Sequence, residues 1–194
     1  MTKEAGMAAL LLTGPTVEPW TVAELKAFLR VEHDADDAVI ASLLAAARSQ
    51  VEALTRRALL LQSWRLSYDA WPRDGRFRLR LGPLRALTAA RMIDSSGAAQ
   101  PIELDRFVVD VAEGVIAAVG SLPQPGRRVA GIALDVELGF GAAPSDVPEL
   151  LRHAVRTLAA HWYDNRGLVA IGSSVAMLPG SVAAMLASFR VPAL

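Results

Sequence analysis

The 194-residue chain contains no cysteine. That excludes disulfides, thiolate metal sites and cysteine nucleophiles together. Net charge is absent too, with 20 basic and 20 acidic side chains, so no overall basic field advertises a nucleic-acid partner. Lys3 and Lys26 are the only lysines. Arginine carries the remaining positive charge in an alanine-rich chain, a pattern of coding bias that makes arginine count alone weak evidence. Long hydrophobic runs are missing as well. Met7 to Leu12 is too short for a signal h-region, Glu4 sits where its n-region would be, and nothing approaches the ~20 apolar residues of a membrane span. The expectation is a soluble protein held in a cytoplasm-like compartment.

What is present is a globular composition, 53% hydrophobic and 21% charged. The length suits one domain over 1–194, or one domain with a sizeable insertion. Charge is segregated along it. Residues 1–47 carry three basic and seven acidic side chains, 48–91 ten and three, 92–145 three and seven, and the rest four and three. The second block can contact phosphates only if its arginines share a face.

Periodicity orders the elements. Thr21-Val22-Ala23-Glu24 is a capping box, with Trp20 and Leu25 placed as a hydrophobic staple, so a short helix starts there. Asp34 or Asp36 is expected to cap a second helix, whose stripe is Ile40, Leu43, Leu44, Ala47, Val51 and Leu54 and which ends near Arg56-Arg57. From about residue 59 the period becomes two. Trp64, Leu66 and Tyr68 alternate with polar residues, as do Phe77, Leu79 and Leu81 with Arg76, Arg78 and Arg80, and Ile132, Leu134, Val136, Leu138 and Phe140 follow suit. Turn signals at Pro72 to Gly75, Gly82-Pro83, Ser96-Gly97, Glu113-Gly114 and Pro123 to Gly126 separate these runs, which predicts antiparallel pairing. Helix returns at Asp146, read as the cap of a helix with stripe Leu151, Ala154, Val155, Leu158 and Trp162 and stopped by Gly167. After a small-residue loop, Pro179-Gly180-Ser181 opens a last short helix with Val182, Met185, Leu186 and Phe189. The fold class is therefore α+β, mainly helical, with about four helices in two flanking pairs (1–58 and 146–194) around an antiparallel β insertion (59–145).

The reactive-looking clusters resolve into structure. Gly139-Phe140-Gly141-Ala142-Ala143-Pro144 has Pro144 in place of a third glycine, and Asp146 and Glu149 beyond it would repel a pyrophosphate. His33, Asp34, Asp36 and Asp37 lack the ligand spacing of a calcium loop and suit a helix N-terminus. His153 and His161 are too far apart to grip zinc as a pair, and Glu149 with His153 has no third ligand nearby. Gly172-Ser173-Ser174 lacks the second glycine and the strand of a nucleophile elbow. No cofactor, no metal and no catalytic activity are expected; a hydrolase at His161 and Asp164 is the weakest alternative. The segment LAAHWYDNRG, residues 158–167, then reads as a helix end with Tyr163 and Arg166 available to a neighbour, since Tyr, Trp and Arg are enriched in hot spots.

Three stretches together resemble one family. They are TVAELKAFLRVEHDADDAVIASLLAAARSQVEALTRRAL, VPELLRHAVRTLAAHWYDNRG and the closing LPGSVAAMLASFRV, with a strand-rich middle starting QSWRLSYDAWP. In this order they resemble the head–tail connector, or adaptor, proteins of tailed bacteriophages and gene transfer agents, with a longer β insertion than the smallest members have. The resemblance implies a structural protein in a homo-oligomeric ring, dodecameric in the particle, beneath the portal protein. It would extend the DNA channel and meet a stopper or tail-terminator protein, at the head–tail junction of a particle assembled in the bacterial cytoplasm. It places Leu186, Phe189, Arg190 and Val191 at the portal contact, and makes Arg76, Arg78 and Arg80 candidates for the channel wall beside packaged DNA. The alternative is a nucleic-acid-binding module using Arg65, Arg73, Arg76, Arg78 and Arg80. No membrane partner is expected.

Overall fold

The computed structural model describes residues 7–165 and 178–189. Within them the chain is α+β, with four α-helices and eight strands, and every strand pairing is antiparallel. Contacts divide the chain into two compact units: one takes the chain up to Gly14 with Leu61–Gly139, the other Pro15–Leu60 with the chain from Phe140 onward.

The second unit holds the helices α1 (Val22–Leu29), α2 (Asp37–Thr55), α3 (Glu149–Asp164) and α4 (Gly180–Ala187). The capping box forms as its spacing requires: the Glu24 amide donates to Thr21 Oγ1 at 3.1 Å, and the Thr21 amide donates to Glu24 Oε2 at 2.7 Å. The periodic stripes converge on one core. Leu25 of α1 meets Ile40, Leu44, Ala47 and Val51 of α2, Leu151, Ala154, Val155 and Leu158 of α3, and Val182 and Leu186 of α4. Each large aliphatic side chain buried this way contributes about 1.5–3 kcal/mol, far above what helix propensity supplies. Arg48 is pinned between Glu18 (2.8 Å) and Glu52 (2.6 Å), and Glu52 also accepts the Leu59 amide, fixing the chain as it leaves α2.

Two expected caps are reassigned. Asp36 does occupy the position before α2, but its side chain does not cap the helix; it accepts the Tyr163 hydroxyl at 2.5 Å instead. Asp146 belongs to a 3₁₀ turn, Pro144–Asp146, and accepts the Ala143 amide at 2.9 Å, while Pro148 precedes α3. Proline has the fixed φ and the missing amide that suit it to a helix start, and no side chain caps α3 there. Gly141 lies against that carboxylate, 2.1 Å from Asp146 Oδ2 to where a Cβ would sit, so the glycine-rich segment wraps an aspartate and leaves no cradle for phosphate. The expected stop at Gly167 and the Gly172-Ser173-Ser174 segment lie outside the described residues.

The first unit contains a five-stranded sheet in the order β1-β2-β8-β4-β5 and a three-stranded sheet in the order β3-β7-β6. The strands are β1 (Met7–Thr13), β2 (Gln62–Tyr68), β3 (Arg76–Arg78), β4 (Leu84–Ile93), β5 (Ala99–Ile102), β6 (Phe107–Asp110), β7 (Val115–Ala118) and β8 (Ile132–Leu138). Alternation sets Trp64, Leu66 and Tyr68 directly opposite Val136, Leu134 and Ile132 on one face, and Arg65 opposite Asp135 on the other. Tyr68 packs on Phe77 of the smaller sheet with ring centroids 4.6 Å apart, and Trp71 closes on Phe77 and Phe107. The Ser96-Gly97 turn joins β4 to β5 around Asp94, whose carboxylate accepts the Ser96 hydroxyl and amide and the Ala98 amide. Those donors, with Gln100, hold its carboxyl down to about 2.

Two differences concern strands. Met7–Thr13, read from sequence only as a short apolar run, is an edge strand paired with β2. Phe77 to Leu81 does not continue as one strand: β3 stops at Arg78, the Leu79 amide makes the last bond, to Gly114 O, and the chain turns through Gly82-Pro83, where proline has no amide to donate.

Candidate functional site

No described group of three or more His, Asp or Glu residues is arranged to hold a metal ion, and no described helix is long and apolar enough to cross a membrane. The expected residues that fall among the described ones can each be placed in the fold.

At the end of α3, Tyr163 is half-buried, and its hydroxyl ties the helix to Asp36 before α2. Asn165 closes the helix, its side-chain amide donating to His161 O at 2.7 Å, and Trp162 packs against the core. The segment thus ties two helices together; Arg166 lies outside the described residues. On α4, Leu186 is fully buried and anchors the helix. Phe189 is partly buried, and its carbonyl accepts Arg57 Nε at 2.9 Å, so Arg57 aims the chain as it leaves α4. Arg190 and Val191 lie outside the described residues.

Sequence reasoning missed a second cluster on the helical unit. Trp20 donates its indole N–H to Arg152 O at 2.7 Å, and the Arg152 and Arg156 guanidiniums lie 4.1 and 4.5 Å from its ring centroid. Arg156 also stacks over Phe28 at 4.5 Å, and Phe28 is 46% exposed. Two arginines one turn apart on a helix repel, and the aromatic faces between them supply the compensating attraction. The signal was legible only in part, as a Trp just before a capping box and an Arg–x–x–x–Arg step on α3. Nearby, a shallow pocket lined by Val22, Ala23, Ala27 and Val31 has its one cation, Lys26, bound by Asp34 (2.5 Å) and Asp37 (2.8 Å), which raises the lysine pKa and lowers that of Asp34. Asp34, Asp36 and Asp37 before α2 thus each have a side-chain partner, Lys26 or Tyr163.

On the β unit the arginines separate. Arg65 makes a two-pronged contact with Asp135 (2.7 and 2.8 Å), and Arg91 adds a third bond at 2.6 Å. The Arg65 and then the Arg91 bonds hold the Asp135 carboxyl below the ordinary carboxylate value. Arg65 is thus spent on the fold. Arg76 and Arg78 share one exposed face of β3, with Arg78 bound to Asp74 at 2.7 Å. Arg73 is exposed in the turn before β3, and Arg80 is half-buried beyond its end, so the five arginines do not form one basic face. β1 is exposed along its described side chains, Leu10 at 61%, and carries no charge. An uncharged apolar edge strand of this kind offers unpaired backbone groups to a further strand.

Among the described residues, then, the polar clusters are engaged in internal bonds, while β1, Phe28 and the β3 arginines stand exposed. The family model for phage gp6-like head–tail connector proteins matches residues 20–87. Over 96% of its length this chain is similar, at 30% identity and a TM-score of 0.78, to a chain in the neck of an empty gene transfer agent (GTA) particle computed with C6 symmetry, covering 97% of that chain. A chain of the native GTA virion matches at 30% identity and a TM-score of 0.76, with 96% of each chain covered. A third, from the neck of the native GTA particle computed with C12 symmetry, matches at 29% identity and 0.71, covering 95% of this chain and 97% of that one. No curated protein sequence matches. The chain belongs to the phage gp6-like head–tail connector family, and its role in the virion is that of a structural connector.

Proposed function

We propose that this chain is a non-enzymatic connector that assembles as a ring beneath the portal at the head–tail junction of a phage or gene transfer agent particle. The observation that carries the reading is the near full-length likeness to neck chains. A likeness covering both compact units extends beyond the α1-to-β4 stretch of the family match, so the β unit belongs to the connector as much as the helices do. The open apolar strand β1 supports the same reading, because a chain that works alone rarely leaves such an edge uncovered.

In this reading the portal contact forms where the chain leaves α4, through Phe189, Arg190 and Val191, with Leu186 and the Arg57 bond to Phe189 O holding that exit in place. The far side of the ring meets a stopper or tail-terminator protein, packaged DNA passes through the channel, and assembly takes place in the bacterial cytoplasm. The test is co-sedimentation with the portal protein. The full chain is expected to bind; a chain ending at Ser188 should fold, with its core helices intact, and lose portal binding. Undiminished binding by the shortened chain would move the portal contact elsewhere.

A further inference from the structure

The three-stranded sheet has oppositely charged edges. β3 is its last strand on one side, where Arg73, Arg76 and Arg78 are exposed. β6 is its last strand on the other and carries exposed Asp110, with exposed Glu103 and Asp105 in the chain leading into it and exposed Glu113 in the turn after it; Arg106 is the one cation among them. Register puts Arg76, Ala117 and Val108 in one row across the sheet, and Arg78, Val115 and Asp110 in the next. Both rows lie on the face opposite the buried Phe77 and Ile116, so basic and acidic ends share one outer surface, separated by β7 and about 10 Å. Among the described residues none of the four carboxylates forms an ion pair, and neither do the guanidiniums of Arg73 and Arg76; Arg78 has Asp74 alone.

The backbone repeats this asymmetry. Gly75 O and Leu79 N both bond toward β7, so the intervening Arg76 and Arg78 turn their backbone groups to the outer edge, where the Arg76 amide donates to Asp74 Oδ1 at 3.1 Å and the Arg76 carbonyl and Arg78 groups face outward. On the far strand Arg106 O accepts Val119 N, so Phe107 and Val109 turn theirs outward, the Phe107 amide donating to Leu104 O of the preceding 3₁₀ turn. The five-stranded sheet guards its β5 edge with Pro101; β6 has no proline and leaves Val108 59% exposed.

We propose that the β3 edge of one copy joins the β6 edge of the next, with Arg73, Arg76 and Arg78 of one copy set against Asp105, Asp110 and Glu113 of its neighbour. The occupant is a second copy of this chain, because the complementary patch sits on the same small sheet. A patch that pairs with a different patch of an identical chain makes a heterologous contact, which closes into a ring where the rotation permits. The charges set register and exclude wrong pairings, while the rest of the interface adds area. Duplex DNA fits this surface less well, since Asp110 lies in the same row as Arg78 and the acidic edge would repel phosphates. The inference rests on the ring reading above and assigns part of its interface.

Two charge-swapped chains test it: R76E with R78E, and D105R with D110R. The substituted side chains are exposed, and the bonds they give up within the chain are that of Arg78 to Asp74 and that of Asp110 to the Glu113 amide, so both variants should melt only slightly below the unmodified chain. The unmodified chain, concentrated at low salt, is expected to form rings by sedimentation and negative-stain imaging. Each variant alone sets like charges edge to edge and should associate about a hundredfold more weakly or worse. Mixed in equal amounts, the variants should recover rings, alternating and therefore even-numbered, because each then meets its opposite. Restoration by mixing also shows that both variants are folded. A variant that assembles alone as well as the unmodified chain overturns the inference and leaves the connector reading standing. So does an R76E/R78E chain that still forms rings but loses binding to a short DNA duplex, which would place these arginines on the channel. Absence of any association by the unmodified chain, with or without portal, counts against the ring reading and the interface together.

Discussion

At the scale of single residues, Asp135 of β8 links three strands through one carboxylate, which accepts from Arg65 of β2 and Arg91 of β4. Asp135→Asn keeps the shape and removes the charge that two guanidiniums share, and should cost about 2 kcal/mol at neutral pH in a denaturant titration. Its folded pKa is lowered, so this contribution is complete above the ordinary carboxylate value and fades as pH falls through about 4 toward the folded value. The gap between the two chains should therefore narrow on acidification; a gap that stays constant down to acid unfolding would contradict the assignment. Tyr68 presents the opposite case. Burial pushes its pKa up to about 12, and its hydroxyl has no hydrogen-bond partner among the described residues, so Tyr68→Phe should leave thermal stability unchanged or raise it. None of these partnerships was legible in the sequence. Arg65 and Asp135 stand 70 residues apart, as Tyr163 and Asp36 stand 127, and only the fold brings them together.

Elements were far more legible, because their signals are local. The capping box, the stripes of α2 and α3 and the Pro179-Gly180 start of α4 depend on residues within a few turns of one another, and the helices form where these lie. Thr21→Ala removes one arm of the capping box and should destabilise the helical unit by about 1 kcal/mol, read as a lower melting temperature with native helix content retained below it. Turn residues marked the hairpins for the same reason, with Gly97 and Gly114 both at positive φ in the expected turns. β1 escaped notice because Met-Ala-Ala-Leu-Leu-Leu-Thr neither alternates nor carries turn signals, and an edge strand exposed on both faces has no reason to alternate. The arginine alternation around Phe77 overstated β3, since period two records which side chains are buried and says nothing of where a strand must stop to turn.

At the scale of the whole molecule, the sequence carried the class of the protein and most of the order of its elements, but little about its surfaces. Exposed acids on β6 and exposed arginines on β3 read in one dimension as ordinary solubilising charge; only the sheet order sets them at opposite edges of one small surface. The Trp20, Arg152, Arg156 and Phe28 stack is likewise assembled from α3 and residues more than a hundred positions earlier. The same logic explains why the segment that looks most reactive, His161 to Asn165, is occupied with closing a helix and joining it to another. The central claim is that the chain works by ring assembly on a portal, and negative-stain imaging of the purified chain mixed with its portal protein tests it most directly. Closed rings seated coaxially on the portal are the expected result. Portal particles with no added density, at every ratio of the two proteins, would contradict it.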